Sequence, residues 1–361
     1  MVGQLDAFSP DYATARRKFR SAVARPGWIF EEHLLQEEGP DGETLSVDVA
    51  RYCVKGSRQT LVISSGLHGV EGFLGSAVQL EALRVWATKA RPRVNVVVLH
   101  ALNPYGFAWL RRFDKQNVDL NRNFLLEGES YQGSPASYST LDGLLNPQCA
   151  PNRLDMFRVQ ALLLIVRHGM PALRQAVAGG QYDFPRGLFF GGHRAASIQQ
   201  WLGDILDEWL VDNDNVMHLD FHTGLGPHGQ YKLLLDPPLR PLDQKRMLEW
   251  FGSGTFEESD SNGIAYKTRG GIGPWCVSRE IVPNYLYVCA EFGTYGPMAV
   301  IEGLRAENQA YHFLDSNQPA YGRAQRRLKE LFCPEALAWR RTVLRQSLAI
   351  VAQAETGLSD L

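Results

Sequence analysis

The chain has 361 residues, 45% hydrophobic and 21% charged, the composition of a globular protein with an ample core. Its 37 basic and 39 acidic residues are well mixed and leave a formal net charge of −2, which offers neither a nucleic-acid groove nor a polybasic membrane patch. No run approaches the ~18 apolar residues of a membrane span, the opening MVGQLDAFSPDYATARRKF lacks the apolar core of a secretory leader, and five scattered cysteines without a CxxC pair fit a reducing cytoplasm.

In chain order, GETLSVDVARYCVKG (residues 42–56) alternates as a strand or hairpin arm does. TLVISSG (60–66) is a second strand, and a helix is expected from about Glu71 to Lys89. His68 and Glu71 therefore fall in the strand-to-helix connection. RVNVVVLHALNP (93–104) is a run of β-branched residues stopped by Asn-Pro, as in a strand buried on both faces. Residues 131–151, rich in Ser, Gly, Pro and Asn, predict a loop. Helical patterns follow over 153–178 and 195–212. NVMHLDFHTG (215–224), YKLLLD (231–236) and NYLYVCAEFGT (284–294) are strands, and everything after Pro297 is helical. Strands alternating with helices predict a single α/β domain over residues 1–361, with a mixed, mostly parallel sheet and helices on both faces.

Three strand ends carry ionisable groups: His68 with Glu71, His222 with Asp220 nearby, and Glu291. Ligands of open α/β sheets bind at such carboxyl ends. Two histidines and a carboxylate are a common set for catalytic zinc, leaving a fourth position for water. Zinc lowers the pKa of that water towards ~7 and polarises a carbonyl, and Glu291 is a free carboxylate able to take the proton. Each residue also has a plainer role. Glu71 would favour a helix dipole, His222 could be a core histidine bonded to Asp220, and Glu291 a paired structural acid. Their joint placement at three strand ends favours a site.

NPYGFAWLRRFDKQNVDLNRNF (103–124) adds Arg111, Arg112, Asn121 and Arg122, and a guanidinium beside an amide suits capture of a carboxylate. HGVE, then NPYG…RR…NVDLNRNF, then DFHTG, then AEFG resembles the M14 zinc carboxypeptidases and the related aspartoacylase and succinylglutamate desuccinylase branch. Within that superfamily the chain most resembles the bacterial DUF2817 group. The resemblance spans residues 60–296 and implies an α/β/α sandwich. It implies zinc as cofactor, with His68, Glu71 and His222 as ligands. It implies that Asn121 and Arg122 hold a terminal carboxylate, and that Arg112 or Arg111 polarises the scissile carbonyl. Glu291 would be general base and then acid. Asp119 would hold His68 in its tautomer, although a turn residue is an equal reading.

There are departures from the family pattern. Roughly a hundred residues separate Asn121 from His222, so a largely helical insertion over 125–212 is expected above the cleft. Tyr266, Tyr285 and Tyr295 stand as candidates for the family's substrate-binding tyrosine. The C-terminus is helical where aspartoacylase-type enzymes carry a β-rich domain. GLGPHG (224–229) matches G-x-G-x-x-G but leads into a strand rather than a helix, so it lacks the context of a phosphate site. The expected function is zinc-dependent cleavage of an amide bond beside a free carboxylate, in a small peptide or an N-acyl amino acid. An N-acyl amino acid deacylase and a non-catalytic zinc- or ligand-binding relative are the alternatives.

Overall fold

The computed structural model describes residues 5–88, 90–152, 155–168, 179–236, 239–258 and 268–361. The first described helix, α1 (Tyr12–Val23), starts where the Asp11 carboxylate accepts the Thr14 N–H at 2.7 Å, satisfying one of the open donors of a helix start. Strands β1 (Trp28–Glu38), β2 (Thr44–Tyr52) and β3 (Gln59–Ser65) follow, then a 3₁₀ turn (Gly69–Glu71) that runs into α2 (Gly72–Thr88). Next come β4 (Asn95–His100), α3 (Pro104–Ala108), a second 3₁₀ turn (Leu120–Arg122), α4 (Ala136–Leu145), α5 (Phe157–His168) and α6 (Ser197–Leu210). The remainder is β5 (Asn215–Thr223), β6 (Tyr231–Leu235), α7 (Pro241–Phe251), β7 (Phe256–Glu258), α8 (Ile272–Ser278), β8 (Asn284–Phe292), α9 (Pro297–Phe313), α10 (Pro319–Phe332) and α11 (Leu337–Ser359).

The described strands form one eight-stranded sheet in the order β1-β2-β4-β3-β5-β8-β6-β7. Its centre, β4-β3-β5-β8, is parallel, while β2 and β6 flank that centre antiparallel. The mixed, largely parallel α/β sheet expected from the sequence is the one found. Alternation sends Leu61, Ile63, Val98, Leu219 and Val288 into one core with α1, α2 and α11, and Val62, Val97, Leu99 and Val216 into another with α6 and α8. Each such side chain contributes ~1.5–3 kcal/mol on burial, so the two cores hold helices against both faces. No helix among the described residues is long and apolar enough to cross a membrane.

Three local expectations change. β1 was not foreseen: WIFEEHLLQEE lies on the sheet's edge with every residue half-buried or exposed, so its alternation is diluted by glutamates. Residues 131–151 are not all loop, because Tyr138, Leu141 and Leu145 line one side of α4 and pack with Phe157 of α5. The helix expected over 153–178 is described as α5, and residues 169–178 lie outside the described residues, as does Tyr266.

A smaller cluster bears directly on the strand ends. Val70, in the turn after β3, packs with Phe113, Phe189, Val300, Leu304, Leu328 and Phe332. The C-terminal helices α9 and α10 thus clamp the segment that carries His68 and Glu71.

Candidate metal centre and active site

His68 and Glu71 are placed by two glycines. Gly66 has φ +65°, and a Cβ there would lie 2.7 Å from Ala101 Cβ; only glycine turns freely in that region. A Cβ on Gly69 would lie 2.1 Å from the Gly106 carbonyl carbon. The turn can therefore lie flat against the next crossover. There the Gly69 N–H donates to Arg112 O at 3.1 Å and the Val70 N–H to Arg111 O at 2.7 Å. His222 comes from β5, where the two-residue period puts Asp220 and His222 on one face. Glu291 stands beside it, because β5 and β8 pair His222 with Glu291 in register.

The structure brings His68, Glu71 and His222 together, all buried, with one ligand atom from each within 4.8 Å of the others. His68 Nδ1 is 2.9 Å from Glu71 Oε1, His222 Nδ1 is 3.0 Å from Glu71 Oε2, and the two Nδ1 atoms are 3.3 Å apart. The opposite ring nitrogens face carboxylates: His222 Nε2 lies 2.7 Å from Asp220 Oδ2, and His68 Nε2 lies 3.2 Å from Asp119 Oδ1. Such backing fixes the tautomer that leaves Nδ1 bare for a metal. Arg112 Nη2 also approaches His68 Nε2, at 2.6 Å. A guanidinium only donates, so that contact is a hydrogen bond when Nε2 is bare, and Asp119 becomes the partner when Nε2 carries the proton. Two imidazoles and a carboxylate with converging donors fit a divalent ion with an N/O preference. Cys289, His222 and Glu291 form a second group of the same spread. It lacks the backed, converging pair of histidine Nδ1 atoms.

Charge balance follows from burial. Burial opposes ionisation of Glu71, but His68 and His222 outweigh it and lower its pKa. Asp119 is likewise lowered against burial, by Arg112, His68 and Arg122. For His222, burial disfavours the cation, yet Asp220 and Glu71 raise its pKa well above 6.5. Glu291 goes the other way. Burial and then the nearby Glu71 raise it above the ordinary carboxylate range. One of its oxygens, Oε1, accepts the Leu225 N–H at 2.9 Å.

The adjacent arginines part company. Arg112 donates from Nε to Asp119 Oδ2 at 2.9 Å and from Nη1 to Glu71 Oε1 at 3.3 Å, its guanidinium 5.5 Å from the centre of the Phe189 ring. Arg111, fully buried, turns to Glu307 Oε1 at 2.7 Å and Asn117 Oδ1 at 2.9 Å, stacked 3.3 Å over Tyr311. The structure does not bring it into the cluster: the chain bends at Arg112, and the Arg111 side chain reaches Glu307 and clips α9 to the loop. Asp119 caps the Leu120–Arg122 turn through the Asn121 N–H at 3.1 Å, and its other contacts include His68 Nε2. Asn121 and the buried Arg122 follow in that turn; Asn121 Oδ1 accepts the Ile272 N–H at 3.1 Å. Tyr285 and Tyr295 are engaged elsewhere, with His218 and Glu330 respectively. Sequence reasoning missed Ser64 and Tyr287 behind Asp220. Period-two alternation placed Asp220 beside His222, but only strand order brings in the other two.

Residues 8–346 match the family described as "Protein of unknown function (DUF2817)", and the chain belongs to that family. No curated protein matches it in sequence. Among solved structures, thrombin-activatable fibrinolysis inhibitor is similar, at 12% identity and TM-score 0.53, over 97% of this chain and 74% of that one. Its bovine form, in complex with tick carboxypeptidase inhibitor, aligns at 11% identity and TM-score 0.49 over 97% of both chains. Succinylglutamate desuccinylase of Chromobacterium violaceum aligns at 13% identity and TM-score 0.40, over 91% of this chain and 75% of that one. At these identities the likeness is one of fold alone, the α/β fold of thrombin-activatable fibrinolysis inhibitor.

Proposed function

We propose that this member of the DUF2817 family is a zinc-dependent hydrolase that cleaves an amide or peptide bond beside a free carboxylate. The observation that carries the reading is the convergence of His68 Nδ1, the Glu71 carboxylate and His222 Nδ1, with both opposite ring nitrogens facing buried carboxylates. His68, Glu71 and His222 would hold the ion. When bound, zinc supplies a Lewis acid that polarises a carbonyl and acidifies water.

The chain's own residues do the rest. Glu291 takes a proton and later delivers it to the leaving nitrogen. With Oε1 on the Leu225 N–H, its second oxygen serves for that transfer. Arg112, braced by Asp119 and Glu71, is a donor held in place for the charge that develops on a carbonyl oxygen, where fixed donors count most. Asn121 and Arg122 bind the substrate's free carboxylate. Five free cysteines support a reducing cytoplasm as its compartment.

Small peptides and N-acyl amino acids present the same bond next to the same anion, so both belong to the substrate class. The test is a screen of dipeptides and N-acyl amino acids with zinc-loaded protein, alongside Glu291→Gln. Turnover should fall by at least ~10²–10⁴-fold, the range of general acid–base catalysis, with zinc content unchanged. Near-normal turnover would put the base elsewhere, loss of zinc would make Glu291 a ligand, and no hydrolysis of either class would leave a binding protein.

A further inference from the structure

Behind His222, one face of three neighbouring strands carries a line of buried polar groups. Register pairs Ser64 of β3 with Asp220 of β5, and His218 of β5 with Tyr287 of β8. Ser64, His218 and Asp220 are wholly buried. Asp220 Oδ2 accepts from Tyr287 at 2.9 Å and faces His222 Nε2 at 2.7 Å, while Oδ1 accepts from Ser64 at 2.7 Å. Ser64 Oγ also lies 2.7 Å from His218 Nε2, and His218 Nδ1 lies 2.8 Å from the Tyr285 hydroxyl.

Counting protons gives this line a direction. An ionised carboxylate only accepts, and a serine has one proton to give. Ser64 gives it to Asp220, so Ser64 Oγ must accept from His218, which then carries its proton on Nε2. A neutral His218 has a bare Nδ1, which accepts from Tyr285. The opposite tautomer would turn the Ser64 proton towards His218 and take a donor from a buried carboxylate oxygen, a costly loss. Burial keeps His218 neutral, lowering its pKa to about 4. Every donor therefore points one way, and the line ends at Asp220.

We propose that Ser64, His218 and Tyr285 are positioning residues for the metal ligand His222: their one-way hydrogen-bond chain sets a fixed donor on Asp220 Oδ1 and gives that carboxylate one orientation, which holds His222 by Nε2 and aims its Nδ1 at the metal. The proposal rests on the metal reading above. It extends the backing of a metal ligand, ordinarily one carboxylate deep, by three further residues reaching Tyr285 on β8.

Full-length protein with ¹⁵N-labelled histidine rings tests it, together with zinc affinity by competition against a chromophoric chelator. The His218 signal, assigned by its loss in His218→Gln, should show one neutral tautomer protonated on Nε2. Ser64→Ala and Tyr285→Phe should weaken zinc binding by roughly tenfold, the lower end of the effect of removing a ligand's supporting partner. Tyr12→Phe, which deletes a buried hydroxyl bonded to Ser46 on the other side of the sheet, should lower the melting temperature but leave zinc affinity alone. A His218 protonated on Nδ1 overturns the proposal, as does equal zinc affinity in Ser64→Ala, Tyr285→Phe and Tyr12→Phe. If the wild-type chain binds no zinc, the metal reading itself falls; if it binds tightly and the variants match it, only the positioning role does.

Discussion

Gly69→Ala probes the joint on which the cluster is built. The new Cβ would lie 2.1 Å from the Gly106 carbonyl carbon and 2.3 Å from Phe107 N, against ~3.5–4.0 Å for an ordinary contact. Both obstacles are backbone, so the two segments must separate by roughly 1.5 Å, and no side chain can rotate away instead. Overpacking of this kind costs ~1–3 kcal/mol. The separation also strains the Gly69 and Val70 hydrogen bonds to the carbonyls of Arg112 and Arg111, each worth ~0.5–1.5 kcal/mol. The expected loss is therefore ~2–6 kcal/mol, a large part of a typical ~5–15 kcal/mol stability. Denaturant unfolding of the metal-free protein measures it, and zinc content reports whether His68 and Glu71 stay in place. Gly143→Ala is the control. That exposed residue of α4 has nothing within 4 Å of an added Cβ, and alanine in place of glycine inside a helix gains up to ~1 kcal/mol. If Gly69→Ala keeps wild-type stability and full zinc, the close approach of the two segments is not what places the ligands.

Three further outcomes are expected. Arg122→Ala should raise KM for a free-acid substrate by the ~2–5 kcal/mol of a lost buried charge partner and much less for the amidated form; equal losses in a kinetic comparison would make Arg122 structural. Arg111→Met should destabilise by ~3–5 kcal/mol, because it strips a buried acid of its cation, while zinc per folded molecule stays unchanged; Arg111→Met/Glu307→Leu should recover most of that loss in denaturant unfolding, and no recovery would refute the pairing. For His222, raised above 6.5 by Asp220 and Glu71 against burial, the ion pairing stabilises the metal-free protein fully below that ordinary value and fades as pH rises through the raised one. Zinc must displace that proton, so its affinity should climb about tenfold per pH unit below the raised value; a flat chelator-competition profile would contradict the proton's place.

Local sequence settled much of this molecule. A β-branched run located β4, and apolar runs ending in polar residues located β3, β5 and β8, because a strand buried on both faces has few other compositions. Alternation then placed Asp220 and His222 on one side of β5 without any knowledge of its neighbours. The order of motifs from HGVE to AEFG identified the family and pointed to His68, Glu71 and His222, which lie together in the structure. Other features were out of reach. A helix in a Ser- and Pro-rich stretch, α4, forms because Tyr138, Leu141 and Leu145 find an apolar partner, and partners are not encoded in local spacing. Arg111 and Arg112 are the same residue type in adjacent positions, and only the packing of α9 against one side of their segment separates an ion pair with Glu307 from contact with Glu71. The line from His222 to Tyr285 depends on β3, β5 and β8 being neighbours in register. That pairing joins residues more than sixty and a hundred and fifty positions apart, and periodicity carries no information at such range. Sheet order, a product of how the whole chain buries its apolar faces, decided it.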